Sequence, residues 1–202
     1  MRFDPSLIVN EGPEVYRPAE DSFLLLRSIE VASGDRFLEV GTGTGLIAVH
    51  AARTAHVLAT DLNPVAVRLA AANARSNSVR MSVLRCDLMS AVRGSFDVVA
   101  FNPPYLEGSG TDDLERAWQG GWQGGEVSIR FLRGLPGILA PRGRAYVVMS
   151  RANREARAAA ESAFRVRTVA SSPLFFETLD VLELRPPRSP PGVLPKGHQG
   201  LP

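Results

Sequence analysis

Short runs of apolar, β-branched and aromatic residues alternate along this chain with segments whose apolar positions recur at helical spacing. That alternation argues for βαβ units wound onto a mostly parallel sheet. Arg36–Val40 reads as the first strand, running into Gly41-Thr42-Gly43-Thr44-Gly45, with Leu46–Arg53 helical after it. His56–Thr60 is expected as the second strand, closed by Asp61. The next helix has a marked start: Asn63 suits the N-cap and Pro64 the first helical position, and an alanine-rich run continues to about Ala74. Met81–Arg85 and Phe96–Phe101 are the third and fourth strands, the latter ending in Asn102-Pro103-Pro104-Tyr105.

Leu106–Gly125 has no periodic pattern and is rich in Gly, Asp and Trp. A loop of that length inside a compact domain is usually functional. Val127–Leu139 returns to helix, with Ile129, Leu132, Leu135 and Leu139 at helical spacing. Arg144–Met149 is a fifth strand and Asn153–Phe164 a further helix, while Val166–Ser171 and Leu174–Leu184 form a closing antiparallel pair. From Arg185 the chain turns into Pro-Pro-Arg-Ser-Pro-Pro-Gly, too poor in apolar residues to fold. The expected organisation is one domain over 1–185, its first 35 residues a lead-in segment and helix, followed by a disordered proline-rich tail over 186–202.

Composition narrows this only a little. A chain of 202 residues, 45% hydrophobic and 22% charged, is ordinary globular material for one domain with a tail. Its single cysteine, Cys86, excludes an intrachain disulfide and a multi-thiolate metal site, which favours a reducing compartment. The start lacks an apolar leader, and no run approaches the ~18 apolar residues of a membrane span, so the cytoplasm is expected. Net charge is +2 and the pI about 9.1, the basic residues being arginines apart from Lys196. They are scattered rather than gathered in a stripe, which gives no nucleic-acid footprint.

Gly41, Gly43 and Gly45 stand between a strand and a helix, where the lack of Cβ atoms lets a ligand approach the backbone. The spacing is G-x-G-x-G with Leu46 next, so the dinucleotide fingerprint G-x-G-x-x-G is not met, and no Gly-Lys-Ser/Thr makes a P-loop. Asp61, at the end of the second strand, can accept both hydroxyls of a ribose. Glu39 adds a carboxylate beneath the loop. Carboxylates crowded here repel a pyrophosphate but suit a ligand carrying a sulfonium and an ammonium. Asp87, just past the third strand, can accept from an adenine amino group. At the end of the fourth strand, the Asn102 side-chain oxygen and the Pro103 carbonyl can accept hydrogen bonds from a planar –NH2 group, helping its nitrogen become pyramidal as it attacks. Two prolines stiffen that loop, and Tyr105 can lie against a planar substrate. His50, His56 and His198 belong to no metal-binding motif.

Together these features resemble class I S-adenosylmethionine-dependent methyltransferases over roughly residues 37–184. Glu39-Val40-Gly41-Thr42-Gly43-Thr44-Gly45 is similar to that family's first motif, Asp61 to its ribose ligand, and Cys86-Asp87-Leu88 to its adenine-edge motif. The resemblance implies a Rossmann-like seven-stranded α/β sheet of order 3-2-1-4-5-7-6, the last strand antiparallel, with helices on both faces. Val15-Tyr16-Arg17-Pro18-Ala19-Glu20-Asp21-Ser22-Phe23 further resembles HemK-type enzymes, which methylate the glutamine side chain of peptide-chain release factors. It makes Ser22 a candidate cofactor ligand, where the family commonly has Thr, and Arg17 a charge reversal where many relatives carry Glu. Ala117-Trp118-Gln119-Gly120-Gly121, then Gly124, resembles the substrate-side loop.

With about 35 residues before its first strand, the chain matches the short archaeal and eukaryotic form rather than the bacterial one, which has an added N-terminal helical domain. The short form often works with a small zinc-binding activator paired to the sheet edge, here Met81–Arg85. The resemblance thus implies N-methylation of a release-factor glutamine. Asn-Pro-Pro-Tyr serves any planar amine, so an adenine-N6 methyltransferase acting on RNA or DNA stays open, as does a non-catalytic cofactor-binding scaffold.

Overall fold

The computed structural model describes residues 1–104, 125–174 and 177–187. Its elements, in chain order, are α1 (Glu20–Ser28), β1 (Arg36–Val40), α2 (Leu46–Ala51), β2 (His56–Asp61), α3 (Pro64–Ser76), β3 (Met81–Arg85) and β4 (Phe96–Phe101). Then come α4 (Gly125–Gly134), β5 (Leu139–Ser150), α5 (Arg154–Ala163), β6 (Arg165–Leu174) and β7 (Glu177–Arg185). The strands form one sheet in the order β3-β2-β1-β4-β5-β7-β6, in which β7 runs antiparallel to both β5 and β6 and the other pairings are parallel. The order and direction anticipated from the family resemblance hold throughout.

The central strands are apolar because both their faces are covered. In β1, Phe37 packs on one side with Leu25 and Leu26 of α1 and Ile47 and Ala51 of α2. Leu38 and Val40 face the opposite layer, with Phe131 and Leu132 of α4 and Ala156 and Ala160 of α5. The period-2 alternation of a strand thus feeds two separate cores. Helix α3 begins as the sequence suggests: Asn63 accepts a 2.8 Å bond from the Val65 N–H, with Pro64 in the first turn. Asn153 caps α5 in the same way, accepting from Ala156 N at 3.1 Å.

Two segments depart from the sequence reading. The helical spacing of Ile129, Leu132, Leu135 and Leu139 overruns the real helix: α4 ends at Gly134, Leu135–Gly137 make one 3-10 turn, and Leu139 opens β5. Pro136 lacks an N–H and glycines stand on both sides of its turn, so the α-helix cannot propagate there. Leu174 belongs to β6 rather than to the last strand, opposite Glu177 in register. The Leu106–Gly125 segment, apart from Gly125, and residues 188–202 of the tail lie outside the described residues, as do Tyr105 and the Trp118 loop.

Candidate active site

Sheet order places the motifs together. Between β1 and β4 the winding of the sheet reverses direction, and the crevice beyond the strand ends at such a point is where open α/β sheets bind ligands. Val40 is paired with Thr60 on one side and Phe101 on the other. The next residues, Gly41, Asp61 and Asn102, therefore emerge side by side from β1, β2 and β4, though they span more than sixty sequence positions. Asp87 follows β3 on the outer side of Asp61, whose own partner is Arg85.

The glycine loop is shaped by residues that hold it from both ends. Gly41, Gly43 and Gly45 have φ of 64°, 54° and 83°, in the left-handed region that disfavours a Cβ. At Gly45 a Cβ would also lie 3.0 Å from Ala70 Cβ, so this glycine lets α3 pack against the start of α2. Glu39 is buried and accepts from Thr42 Oγ1 at 2.6 Å and from Ala48 N, in the first turn of α2, at 2.9 Å. It pins the loop to the helix start. Asp61 uses both oxygens on backbone donors, Gly43 N at 2.9 Å and Asn63 N at 2.8 Å. Burial raises its pKa against those bonds.

Burial pushes the Glu39 carboxyl up to about 8 from an ordinary 4.5, opposed by its bonds from Thr42 and Ala48. Between those values the folded chain holds a proton that the unfolded chain releases. The stability this contributes is full below about pH 4.5 and is lost as pH rises through 8. Glu39→Gln keeps an oxygen for Thr42 and Ala48 but cannot titrate. Stability from denaturant unfolding at pH 5 and pH 9 should show the wild type losing several kcal/mol more than the variant. Parallel profiles would refute a buried, protonated Glu39.

Asp87 is half exposed and paired with Arg130 of α4. Leu88 has a positive φ of 48°, uncommon for a residue with a branched side chain; Thr60 Oγ1, at 3.0 Å, and Cys86 Sγ, at 3.3 Å, donate to its carbonyl. These contacts fix the turn after β3 against the end of β2. Ser22, buried at the start of α1, donates from its backbone N–H to Asp21 Oδ1 at 2.7 Å. Arg17 is exposed and paired with Glu11.

Asp21 is a residue that the sequence reading passed over. It is 3% exposed, lies 3.1 Å from the Tyr16 hydroxyl through either oxygen, and accepts from Asn102 Nδ2 at 2.8 Å. An ionised carboxylate only accepts, so the nitrogen of the Asn102 amide faces Asp21 and Oδ1 faces away. Asn102 Oδ1 is buried and has no hydrogen-bond partner among the described residues. A buried acceptor left unpaired costs about 1–3 kcal/mol, so such atoms ask for an explanation.

The N-terminal stretch of chain was equally illegible. Asn77 takes the N–H and the carbonyl of Ile8 at 2.8 and 2.7 Å, and Asn73 those of Asn10, both at 3.0 Å. Asn63 Nδ2 donates to the Glu14 carbonyl at 2.8 Å. The strap so held brings Val15 and the Tyr16 carbonyl over Gly43. His50 is a packing residue, its Nε2 accepting from Asp4 N at 3.1 Å. Among the described residues no group of three His, Cys, Asp or Glu is placed to hold a metal ion, and no helix is long and apolar enough to cross a membrane.

Comparison with known proteins identifies this arrangement. Residues 17–176 match the model of the methyltransferase small domain. The chain belongs to that family. It is 37% identical over 157 residues to methyltransferase HEMK2 of Mus musculus, covering 69% of this chain and 73% of the mouse protein. A protein of Methanocaldococcus jannaschii, provisionally named a protein N5-glutamine methyltransferase, is 41% identical over 144 residues, 68% of this chain and 73% of its own. Among solved structures, the E. cuniculi Mtq2–Trm112 complex, responsible for methylation of the eRF1 translation termination factor, superposes with a TM-score of 0.70 at 27% identity. The match covers 86% of this chain and 99% of that one.

The chain is therefore an S-adenosylmethionine-dependent methyltransferase with a Rossmann-like sheet. Its residues fit the cofactor. The glycine loop needs positive φ, two acidic side chains rather than a phosphate cradle stand beneath and beside it, and the buried Asn102 Oδ1 at the neighbouring strand end has no partner among the described residues.

Proposed function

We propose that this enzyme methylates the side-chain nitrogen of a glutamine in a peptide-chain release factor. The observation that carries the reading is the Asn102 amide, turned by Asp21 so that a buried oxygen without a partner among the described residues remains for a substrate –NH2. S-adenosylmethionine would supply an electrophilic methyl group on a sulfonium, the C–S electrons staying on sulfur as a neutral thioether and one proton of the methylated nitrogen passing to water. The nitrogen of a carboxamide is a poor nucleophile because its lone pair is delocalised, and acceptors on its two hydrogens favour the pyramidal geometry it needs. In this reading Asn102 Oδ1 and the Pro103 carbonyl are those acceptors, and Tyr105 lies against the planar substrate. The catalysis is orientational and electrostatic, with no covalent enzyme intermediate.

For the cofactor, we assign Asp61 to the ribose hydroxyls, Gly41, Gly43 and Gly45 to close backbone approach, and Asp87 and Leu88 to the adenine edge. Ser22 and Asn102 line its methionine end. Glu39 acts through the loop it pins, with both of its hydrogen bonds made to the protein.

Glutamine is favoured over adenine by the relatives, since a provisional N5-glutamine methyltransferase and an enzyme complex methylating a termination factor are among them. The latter is a complex with Trm112, which supports a small activator for this chain too. We assign it to β3, an outer strand of the sheet that pairs with β2 and has no fully buried residue. An open groove of about 980 Å³ beside it is lined by Arg36, Arg68, Arg75, Arg80 and Arg93, which suits an acidic partner.

The test is mass spectrometry of a release factor incubated with enzyme and cofactor, with and without a candidate zinc-binding activator. One methyl group on the glutamine of a Gly-Gly-Gln loop supports the assignment. An unmodified release factor in both mixtures, with N6-methyladenine appearing in tRNA or DNA, would replace it with the nucleic-acid reading; cofactor binding without turnover on any of these would leave a scaffold.

A further inference from the structure

An asparagine amide has two orientations of nearly equal shape, and only one offers an acceptor to a substrate –NH2. Rotating the Asn102 amide by half a turn would place Nδ2 where Oδ1 now stands, setting a donor against the substrate's own hydrogens. We propose that Asp21 is the positioning residue that selects the productive orientation. The inference rests on the function proposed above.

The geometry is specific to a carboxylate. Asp21 Oδ1 is committed to the Ser22 N–H at 2.7 Å, and Oδ2 receives Asn102 Nδ2 at 2.8 Å. The Ser22 N–H and Asn102 Nδ2 are both donors, so both Asp21 oxygens must accept. Asp21→Asn satisfies only one of them. Its oxygen stays on the Ser22 N–H, which is fixed backbone, and its –NH2 then faces Asn102. Two –NH2 groups cannot share that contact, so Asn102 turns and accepts with Oδ1, leaving its own –NH2 toward the substrate. A substitution that preserves size and shape thus inverts the catalytic amide. Tyr16, 3.1 Å from both Asp21 oxygens, ties the same carboxylate to the strap that passes over the glycine loop.

The pair also predicts its own rescue. In Asn102→Asp alone, two carboxylates meet at the distance of a hydrogen bond and cannot both ionise. In the double variant donor and acceptor change places. The –NH2 introduced by Asp21→Asn donates to one oxygen of the carboxylate introduced by Asn102→Asp, and the other oxygen faces the substrate as an acceptor. A carboxylate whose role is merely structural would give no such recovery.

Turnover and KM on the release factor, and cofactor affinity by calorimetry, are measured for the wild type, both single variants and the double. Asp21→Asn should lower kcat about 100-fold, as loss of a preorganised acceptor does, with KM and cofactor Kd within about twofold. The double variant should return to within about tenfold of wild type. Asp21→Asn at near wild-type turnover, or a double variant no better than the single ones, overturns the proposal. Should Asp21→Asn fail to fold, the wild-type side-chain amide decides. One Asn102 Nδ2 proton, assigned by its loss in Asn102→Asp, should exchange slowly in NMR because Asp21 holds it, and two equally fast protons would refute the pairing. A wild type that leaves the release factor unmethylated defeats the proposed function, and the exchange measurement still judges Asp21.

Discussion

Replacing Asn102 with alanine should lower turnover by roughly 10²–10³-fold, the usual effect of removing one preorganised polar group at a reacting atom. Cofactor affinity should fall by no more than a few-fold, because Asn102 only lines the methionine end, while the contacts assigned to the ribose and adenine come from β2 and the turn after β3. The split follows from where the side chain spends its hydrogen bonds. Nδ2 is anchored on Asp21 at 2.8 Å, while Oδ1 is buried without a partner among the described residues. The protein bears the cost of that open acceptor in the ground state, and a substrate –NH2 fills it as its nitrogen becomes pyramidal. Single-turnover rates beside calorimetric cofactor binding check this. A variant keeping more than about a tenth of wild-type turnover would mean that methyl transfer does not depend on the amide.

The strand ends were legible in the sequence because each carries a local signal. Glycines needing positive φ follow β1, an acid closes β2, and a proline pair stiffens the end of β4. That these three sites adjoin follows from the order β2-β1-β4, which periodicity cannot supply and the family resemblance did. Asp21 was not legible. Its partner is 81 positions away and meets it only once α1 has packed on the sheet over β5, β6 and β7, next to the end of β4. In the sequence it is an acid in the first turn of a helix, a place where acids are common for reasons of the helix dipole alone. The asparagines of α3 were hidden for a similar reason: Asn73 is fully buried, but the backbone it clamps precedes it by 63 residues. At Leu139 the sequence misled, since an apolar residue four positions beyond Leu135 satisfies helical spacing whether or not Pro136 allows the helix to reach it.

Asp61 offers the other large effect, and an uncommon pattern within it. A carboxylate-to-amide change is often mild, but Asp61 faces a backbone N–H with each oxygen, Gly43 at 2.9 Å and Asn63 at 2.8 Å. Asp61→Asn supplies one oxygen and one –NH2, so in either orientation a donor points at a donor. The glycine loop must shift from its place over β2, or one N–H goes unpaired. The remaining lone pairs on those oxygens, which in the proposed site receive the ribose hydroxyls, are reduced at the same time. Loss of hydrogen bonds to a charged group costs about 1.5–3 kcal/mol, so S-adenosylmethionine affinity should fall roughly 10–100-fold. Asp61→Ala should fall by a similar factor, because the amide rescues neither the loop nor the diol. Turnover at saturating cofactor should suffer less than affinity, since Asn102 is held from Asp21 and not from the loop. Calorimetric titration of both variants decides the matter. Near wild-type affinity for Asp61→Asn would show that one oxygen suffices and that the paired backbone bonds do not shape the cofactor site.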